Sequence, residues 1–71
     1  MSREEYAVWL FLSDHPESCF SRREIARRAT KRTVFEEDPH WADDSLNALV
    51  ARGIVEVNDD GHYRLKRGSD L

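Results

Sequence analysis

The segment that most constrains the fold is SLNALVARGIVEVNDDGHYRL, residues 45–65. It begins with apolar residues at helical spacing, reaches Gly53, and then alternates apolar and polar residues over 54–57 and again over 62–65. Glycine often ends a helix because it adopts the left-handed backbone conformation without a steric penalty. Residues 58–61, Asn-Asp-Asp-Gly, have the composition of a tight turn. The segment therefore predicts a helix, a glycine cap and a β-hairpin in succession.

The helix before Gly53 is predicted to begin at Asp38 and to end at Arg52. Asp38 is expected to cap it, with Pro39 in the first turn. At 100° per residue, one arc of this helix is apolar and is expected to be buried; it contains Ala42, Leu46, Leu49 and Val50. The opposite arc is expected to be exposed and contains Asp44, Asn47, Ala48 and Ala51.

Two further helices are predicted upstream. The first covers residues 2–13, because Ser2 can cap it and His15-Pro16 disfavours its continuation. The second opens at Ser21, where the sequence SRRE has the spacing of a capping box. A short strand is expected between them at Cys19-Phe20.

The connection from Thr30 to His40 gives the weakest structural signal in the chain. Its apolar residues, Val34 and Phe35, are expected to enter the core. The chain is interpreted as one domain over residues 1–71, with a loose tail from about residue 67.

Length and composition exclude several classes of function. Seventy-one residues make one small domain, and a chain of this size buries only about 60% of its unfolded surface. It carries no glycine-rich phosphate loop, and its histidines and single Cys19 lack zinc-site spacing. We therefore expect no enzyme, no cofactor, no metal and no small-molecule substrate. The apolar run over residues 6–12 is too short to span a membrane, and the cysteine usage suits a reducing compartment, so a cytoplasmic protein is expected.

The charges are separated along the sequence although the net charge is only −3. Residues 22–32 hold six basic side chains and one acidic one, whereas residues 36–44 hold five acidic side chains and no lysine or arginine. Local sign affects the choice of a partner more than net charge does.

The order of helix, short strand, helix, helix and hairpin resembles the winged helix-turn-helix family of bacterial transcription regulators. The resemblance rests on FSRREIARRA for the second helix and on SLNALVARGIVEVNDDGHYRL for the third helix and the wing, and it covers nearly the whole chain. It implies an α+β fold with three helices and a small antiparallel β-hairpin wing. It also implies a DNA-binding regulator, in which the third helix enters the major groove while the second helix and the wing contact the backbone.

Double-stranded DNA is the partner that this resemblance implies, and basic and polar side chains would serve it. The expected phosphate contacts are Arg23, Arg27, Arg28, Lys31, Arg32, Arg64 and Lys66. The expected base-reading residues are Asn47 and Asp44.

An alternative interpretation keeps the scaffold and gives up DNA. In it, the acidic face of the third predicted helix binds a basic partner, and a second copy of the chain that offers its second helix is one such partner. The acids also have a purely structural interpretation, because carboxylates favour the positive N-terminal end of a helix.

Three apolar side chains are candidates for a dimer or partner contact: Tyr6, Leu10 and Trp41. Tyr6 and Leu10 lie away from the buried side of the first helix and are either covered by the tail or the wing, or contact another molecule. Trp41 either packs under the connection from Thr30 to Pro39 or anchors a protein partner.

Overall fold

The computed structural model describes residues 1–66, so the predicted tail from about residue 67 lies outside the described part of the chain. The fold is α+β, with four helices and a three-stranded antiparallel sheet over these residues. In chain order the elements are α1 (Arg3–Ser13), β1 (Phe20–Ser21), α2 (Arg22–Arg28), α3 (Arg32–Glu37), α4 (Asp43–Ala51), β2 (Val55–Val57) and β3 (His62–Leu65). The α+β class is confirmed, and α4 corresponds to the third predicted helix.

The predicted start of the first helix is confirmed by the contacts of Ser2. Its hydroxyl accepts the Glu5 N–H at 3.1 Å, and the Glu5 carboxylate accepts the Ser2 N–H at 3.0 Å. This is a reciprocal capping box, which satisfies two backbone donors at the N-terminus of α1. In α2 the Ser21 hydroxyl accepts the Glu24 N–H at 3.1 Å, so Ser21 caps the helix as predicted. The reciprocal half of the predicted capping box does not form, because the Glu24 carboxylate pairs with Arg27 and Arg28.

The segment between α2 and α4 differs from the prediction. The connection contains α3, which was not predicted, and α4 begins at Asp43 instead of Asp38. The Asp38 carboxylate accepts the His40 N–H at 3.1 Å and so closes a local turn, which takes the place of a helix cap. An aspartate can use its carboxylate either to cap a helix or to close a short turn, and Asp38 closes the turn.

Only one of the two apolar residues of α3 packs against the core. Phe35 is partly buried against it, whereas Val34 remains 38% exposed. The prediction for Val34 is wrong because neighbouring helical residues point about 100° apart, and a six-residue surface helix buries a single side.

The sheet has the order β1-β3-β2 with antiparallel neighbours. Phe20 pairs with Tyr63 on one side of β3, and Val57 pairs with Tyr63 on the other. The short strand is thus one residue later than the predicted Cys19-Phe20, because the pairing extends to Ser21 and leaves Cys19 outside it. The hairpin is confirmed, and its turn is closed by the Asn58 side chain, which accepts N–H groups from Asp60 and His62.

Gly53 confirms the predicted end of the helix. Its φ is +76°, in the left-handed region where a β-carbon is unfavourable. The last helical residue is Ala51, and Arg52 is the C-cap.

One apolar core lies where α1, α2 and α4 meet the sheet. Its buried members are Val8, Leu12, Ile25, Ala26, Ala42, Leu46, Leu49, Val55 and Tyr63. Three of the four residues of the predicted apolar arc of α4 are buried, and Val50 is partly buried. Ser45 is also buried, at 7% exposure, and the sequence pattern did not predict this.

Candidate interaction surface

Most of the predicted phosphate contacts are already paired with carboxylates of the same chain. An anionic partner would have to displace these carboxylates, which reduces the net gain from each contact. The pairs are Arg27–Glu24 at 2.6 Å, Arg28–Glu24 at 3.2 Å, Arg32–Glu36 at 3.0 Å and Arg64–Glu56 at 2.6 Å.

Three of these pairings had a signal in the sequence. Glu24 lies three residues before Arg27 and four before Arg28 on one helix, and opposite charges meet at both spacings. Glu56 and Arg64 are directly opposite in the hairpin register. The hydrogen bond to Glu56 raises the pKa of Arg64.

The other three basic residues have no carboxylate partner within the described residues. The Arg23 guanidinium lies over the Phe35 ring, 5.5 Å from its centroid. Lys31 is the exposed N-cap of α3, and Lys66 is exposed directly after β3.

The two predicted base-reading residues differ in how available they are. Asn47 is exposed, but its side-chain oxygen accepts a hydrogen bond from the Arg22 guanidinium at 2.9 Å, so this oxygen already has a partner in the same chain. Asp44 is exposed in the first turn of α4 and has no ion-pair partner among residues 1–66.

Arg22 is the centre of a polar cluster that the sequence did not predict. Its guanidinium donates to the Tyr63 hydroxyl and to Asn47, which connects α2 to β3 and α4. The pKa of Arg22 is raised, chiefly by the hydrogen bond to Tyr63, and the negative charge of Asp43 raises it further. The only sequence signal for this cluster was the inward position of Tyr63 in an alternating strand, which places its hydroxyl at the edge of the core.

Asp43 lies beside this cluster and is partly buried. One of its oxygens is 3.6 Å from Arg22 Nη1, an ion-pair distance that is too long for a hydrogen bond. That oxygen is inaccessible to solvent and has no hydrogen-bond partner in the described structure. The other oxygen lies 3.3 Å from His40 Nδ1. Asp43 is therefore committed to internal contacts, and Asp44 is the carboxylate at the start of α4 that remains available.

A groove between the start of α1 and the outer face of α4, here the α1–α4 groove, has a volume of about 460 Å³. It combines three carboxylates, an indole and two hydroxyls; its lining residues are Ser2, Glu4, Glu5, Trp41, Asp44, Ser45 and Ala48. Glu5 is engaged by Ser2 and lies 3.5 Å from Arg52. Glu4 is exposed, and like Asp44 it forms no ion pair within the described residues.

Two side chains of the α1–α4 groove are fixed by the fold. The Trp41 indole N–H donates to the Ala26 carbonyl at 2.7 Å, which holds the ring at the start of α4. Ser45 is largely buried in α4, yet it lines the groove and its hydroxyl makes no hydrogen bond to any of residues 1–66. The only unpaired side-chain oxygen or nitrogen among the described residues that is cut off from solvent belongs to Asp43, so the Ser45 hydroxyl remains accessible and can exchange water for a ligand. The groove therefore offers a preformed polar and aromatic surface.

The two predicted contact residues of α1 remain uncovered in the described structure. Tyr6 is 53% exposed and Leu10 is 42% exposed. The Tyr6 ring stacks on Trp9 of the same helix, with the ring centroids 6.0 Å apart. The wing does not cover them: β3 contacts α1, and its Tyr63 is buried with Val8 and Leu12 on the opposite, core side of the helix.

The described residues hold no group of three or more histidine, cysteine, aspartate or glutamate side chains placed to bind a metal ion. Over the same residues, every helix is too short or too polar to cross a membrane.

Comparison with known proteins gives one similarity. Residues 34–64 match the family model of the S-layer homology domain. The match covers less than half of the chain and includes most of α3, all of α4 and the hairpin except Leu65. No curated protein and no solved structure matches the chain.

This similarity corrects the functional predictions from the sequence. The S-layer homology domain is not a winged helix-turn-helix transcription-regulator family, so the assignment to that regulator family is wrong. The predictions of a DNA-binding regulator, a double-stranded DNA partner and a cytoplasmic location are wrong for the same reason. The internal pairing of the arginines gives a physical reason, since it leaves few free cations for phosphate. The alternative of an interaction module is better supported.

Proposed function

We propose that this chain is a cell-surface attachment module that binds a cell-wall polymer through the α1–α4 groove. The similarity of residues 34–64 to the S-layer homology domain carries this proposal. The groove retains the acidic face of α4 that the interaction-module alternative already used, and four of its lining residues fall within the matched stretch.

The chemistry of the groove fits a polymer that carries hydroxyl and ammonium groups. Carboxylates such as Glu4 and Asp44 accept hydrogen bonds from both, and those from ammonium groups are charge-assisted and therefore stronger. The Ser45 hydroxyl would gain the hydrogen bond that the fold does not provide. The indole of Trp41 offers an apolar surface beside them, on which the C–H face of a sugar ring can pack.

Binding without catalysis is the proposed mode of action. The lining of the groove includes no histidine, lysine or cysteine that could act as a base or nucleophile. Glu5 is engaged by Ser2 and Arg52, and the other carboxylates of the groove, Glu4 and Asp44, lie on an open surface from which water would not be excluded. No cofactor enters this proposal.

For the scaffold, we infer a variant of the winged-helix architecture, without its DNA-binding role. The order of α1, β1, α2, α4 and the β2–β3 hairpin supports this inference. The pairing of β1 with β3 supports it too, since it joins the short strand to the hairpin. In this interpretation α3 is the added element, and it lies in the long connection before α4.

The test is co-sedimentation of the protein with purified cell-wall fragments. We expect the wild-type chain to bind, and Asp44→Lys and Glu4→Lys each to weaken binding about tenfold, which corresponds to about 1.4 kcal/mol. Asp59→Lys is the matched control, because it makes the same charge change at an exposed position in the hairpin turn, outside the groove. Circular dichroism would check that all variants fold.

Two outcomes would overturn the proposal. One is the absence of wild-type binding to the wall fragments. The other is an equal loss of binding in Asp59→Lys and Asp44→Lys, which would show that only the net charge of the chain matters and that the groove is not the site.

A further inference from the structure

One side of α1 carries exposed side chains that no other described element covers. At 100° per residue it lies opposite Val8 and Leu12, which are buried in the core. Its members, here called the α1 stripe, are Arg3, Tyr6, Ala7, Leu10 and Asp14. The same residues line a shallow groove of about 360 Å³ that continues to the end of α2.

The charges at the two ends of the α1 stripe have the wrong sign for their own helix. Arg3 is the first residue of α1, and Asp14 is its C-cap. A helix N-terminus favours negative groups and a C-terminus favours positive ones. Glu4 and Glu5 supply favourable negative charge in the first turn, whereas the last turn holds no basic residue, and neither Arg3 nor Asp14 forms an ion pair within residues 1–66.

We propose that the α1 stripe binds the α1 stripe of a second copy, with the two helices antiparallel about a two-fold axis. Arg3 and Asp14 are about 16 Å apart along the helix at 1.5 Å per residue. An antiparallel pair centred between Ala7 and Leu10 places each Arg3 opposite the Asp14 of the other copy. A parallel pair would bring like charges together.

The centre of the α1 stripe suits close helix packing. Ala7 is small and lets the two helices approach, and Leu10 of each copy then packs beside Ala7 of the other. Tyr6, more than half exposed in the single chain, loses water contact at the edge of this pair. A two-fold arrangement uses each contact twice, which is how a small patch forms a self-complementary interface. Since the stripe is one short helix, well below the roughly 800 Å² per partner of a standard interface, the expected dimer is weak, with a micromolar dissociation constant.

Sedimentation velocity on charge-exchange variants tests this arrangement. The wild-type chain is expected to shift from monomer to dimer as concentration rises. Arg3→Asp and Asp14→Arg should each remain monomeric, because each places two like charges at both ends of the interface. An equimolar mixture of the two variants should form a dimer again, since each end of the interface then joins one acidic and one basic side chain.

Both variants are expected to fold, because each replaces an end charge by the sign that its helix end favours. Loss of dimer in these variants therefore cannot be attributed to a destabilised α1, and circular dichroism would verify this. Wild type that sediments as a monomer at every concentration overturns the proposal and leaves residues 67–71 or another protein as the cover of the stripe. A mixture that stays monomeric, or single variants that still form dimers, would also overturn it.

Discussion

The position of the Trp41 side chain is fixed by a hydrogen bond, although the residue is partly exposed. The sequence left open whether this side chain packs under the connection before α4 or anchors a partner. The indole N–H donates to the carbonyl of Ala26, fifteen residues earlier, and so joins the end of α2 to the start of α4 across the whole of α3. The ring is thus fixed from inside, while one surface of it still lines the α1–α4 groove.

We expect Trp41→Phe to lower the free energy of unfolding by about 1–3 kcal/mol, since the Ala26 carbonyl loses its donor while most of the aromatic packing is kept. Urea denaturation followed by circular dichroism would measure this. Trp9→Phe is the matched control, because Trp9 is also partly buried and its indole makes no hydrogen bond to the described residues. Equal losses in the two variants would show that the hydrogen bond of Trp41 contributes little.

At the scale of helices and strands, α3 is a helix that the local sequence signals do not predict. Its N-cap is Lys31, whose backbone is extended as a cap requires but whose side chain cannot accept a hydrogen bond from the first turn. The helix is held by its packing through Phe35 and by backbone bonds to the Lys31 carbonyl from Val34 and Phe35. The backbone bonds are local, but the packing of Phe35 on the core is not visible in a window of a few residues.

Lys31→Ser should therefore stabilise α3. A serine at an N-cap is favoured over alanine by about 0.5–1 kcal/mol, which corresponds to roughly two- to fivefold slower hydrogen exchange of the amides that α3 protects. The amide of Asp38, which bonds the Val34 carbonyl at the far end of the helix, is a suitable probe. Lys31→Ala removes the same charge without providing a cap, and exchange that is equally fast in both variants would argue against this account of α3.

The elements that the sequence did predict all have short-range causes. Ser2 and Ser21 cap helices through residues three positions later, and Gly53 ends one through its own backbone angle. Asp38 was misread because two short-range motifs share one side-chain oxygen, and only the fold decides between them. The order of the strands and the one-residue shift of β1 depend on pairing with β3, more than 40 residues away, which no local pattern contains.

At the scale of the whole molecule, basic and acidic side chains that are separated along the sequence form contacts in the fold. The basic run over residues 22–32 and the acidic run over residues 36–44 meet in space, as the pairs Arg32–Glu36 and Arg22–Asp43 show. The surface formed by residues 22–32 is therefore less basic than the sequence predicts. The α1–α4 groove was missed for a related reason, since Glu4 and Asp44 are 40 residues apart and only the packing of α1 on α4 unites them.

This mutual neutralisation leads to the last prediction, which concerns duplex DNA. DNA affinity depends mainly on lysine and arginine side chains that replace counterions at phosphates. With four of the seven expected contacts held by carboxylates and a net charge of −3, we expect no binding of mixed-sequence duplex at near-physiological salt. A two-dimensional amide NMR titration would measure this, with Arg23, Asn47 and Arg64 as the reporters. Shifts at these residues that weaken steeply as salt rises would contradict the prediction and would show that phosphate outcompetes the internal carboxylates.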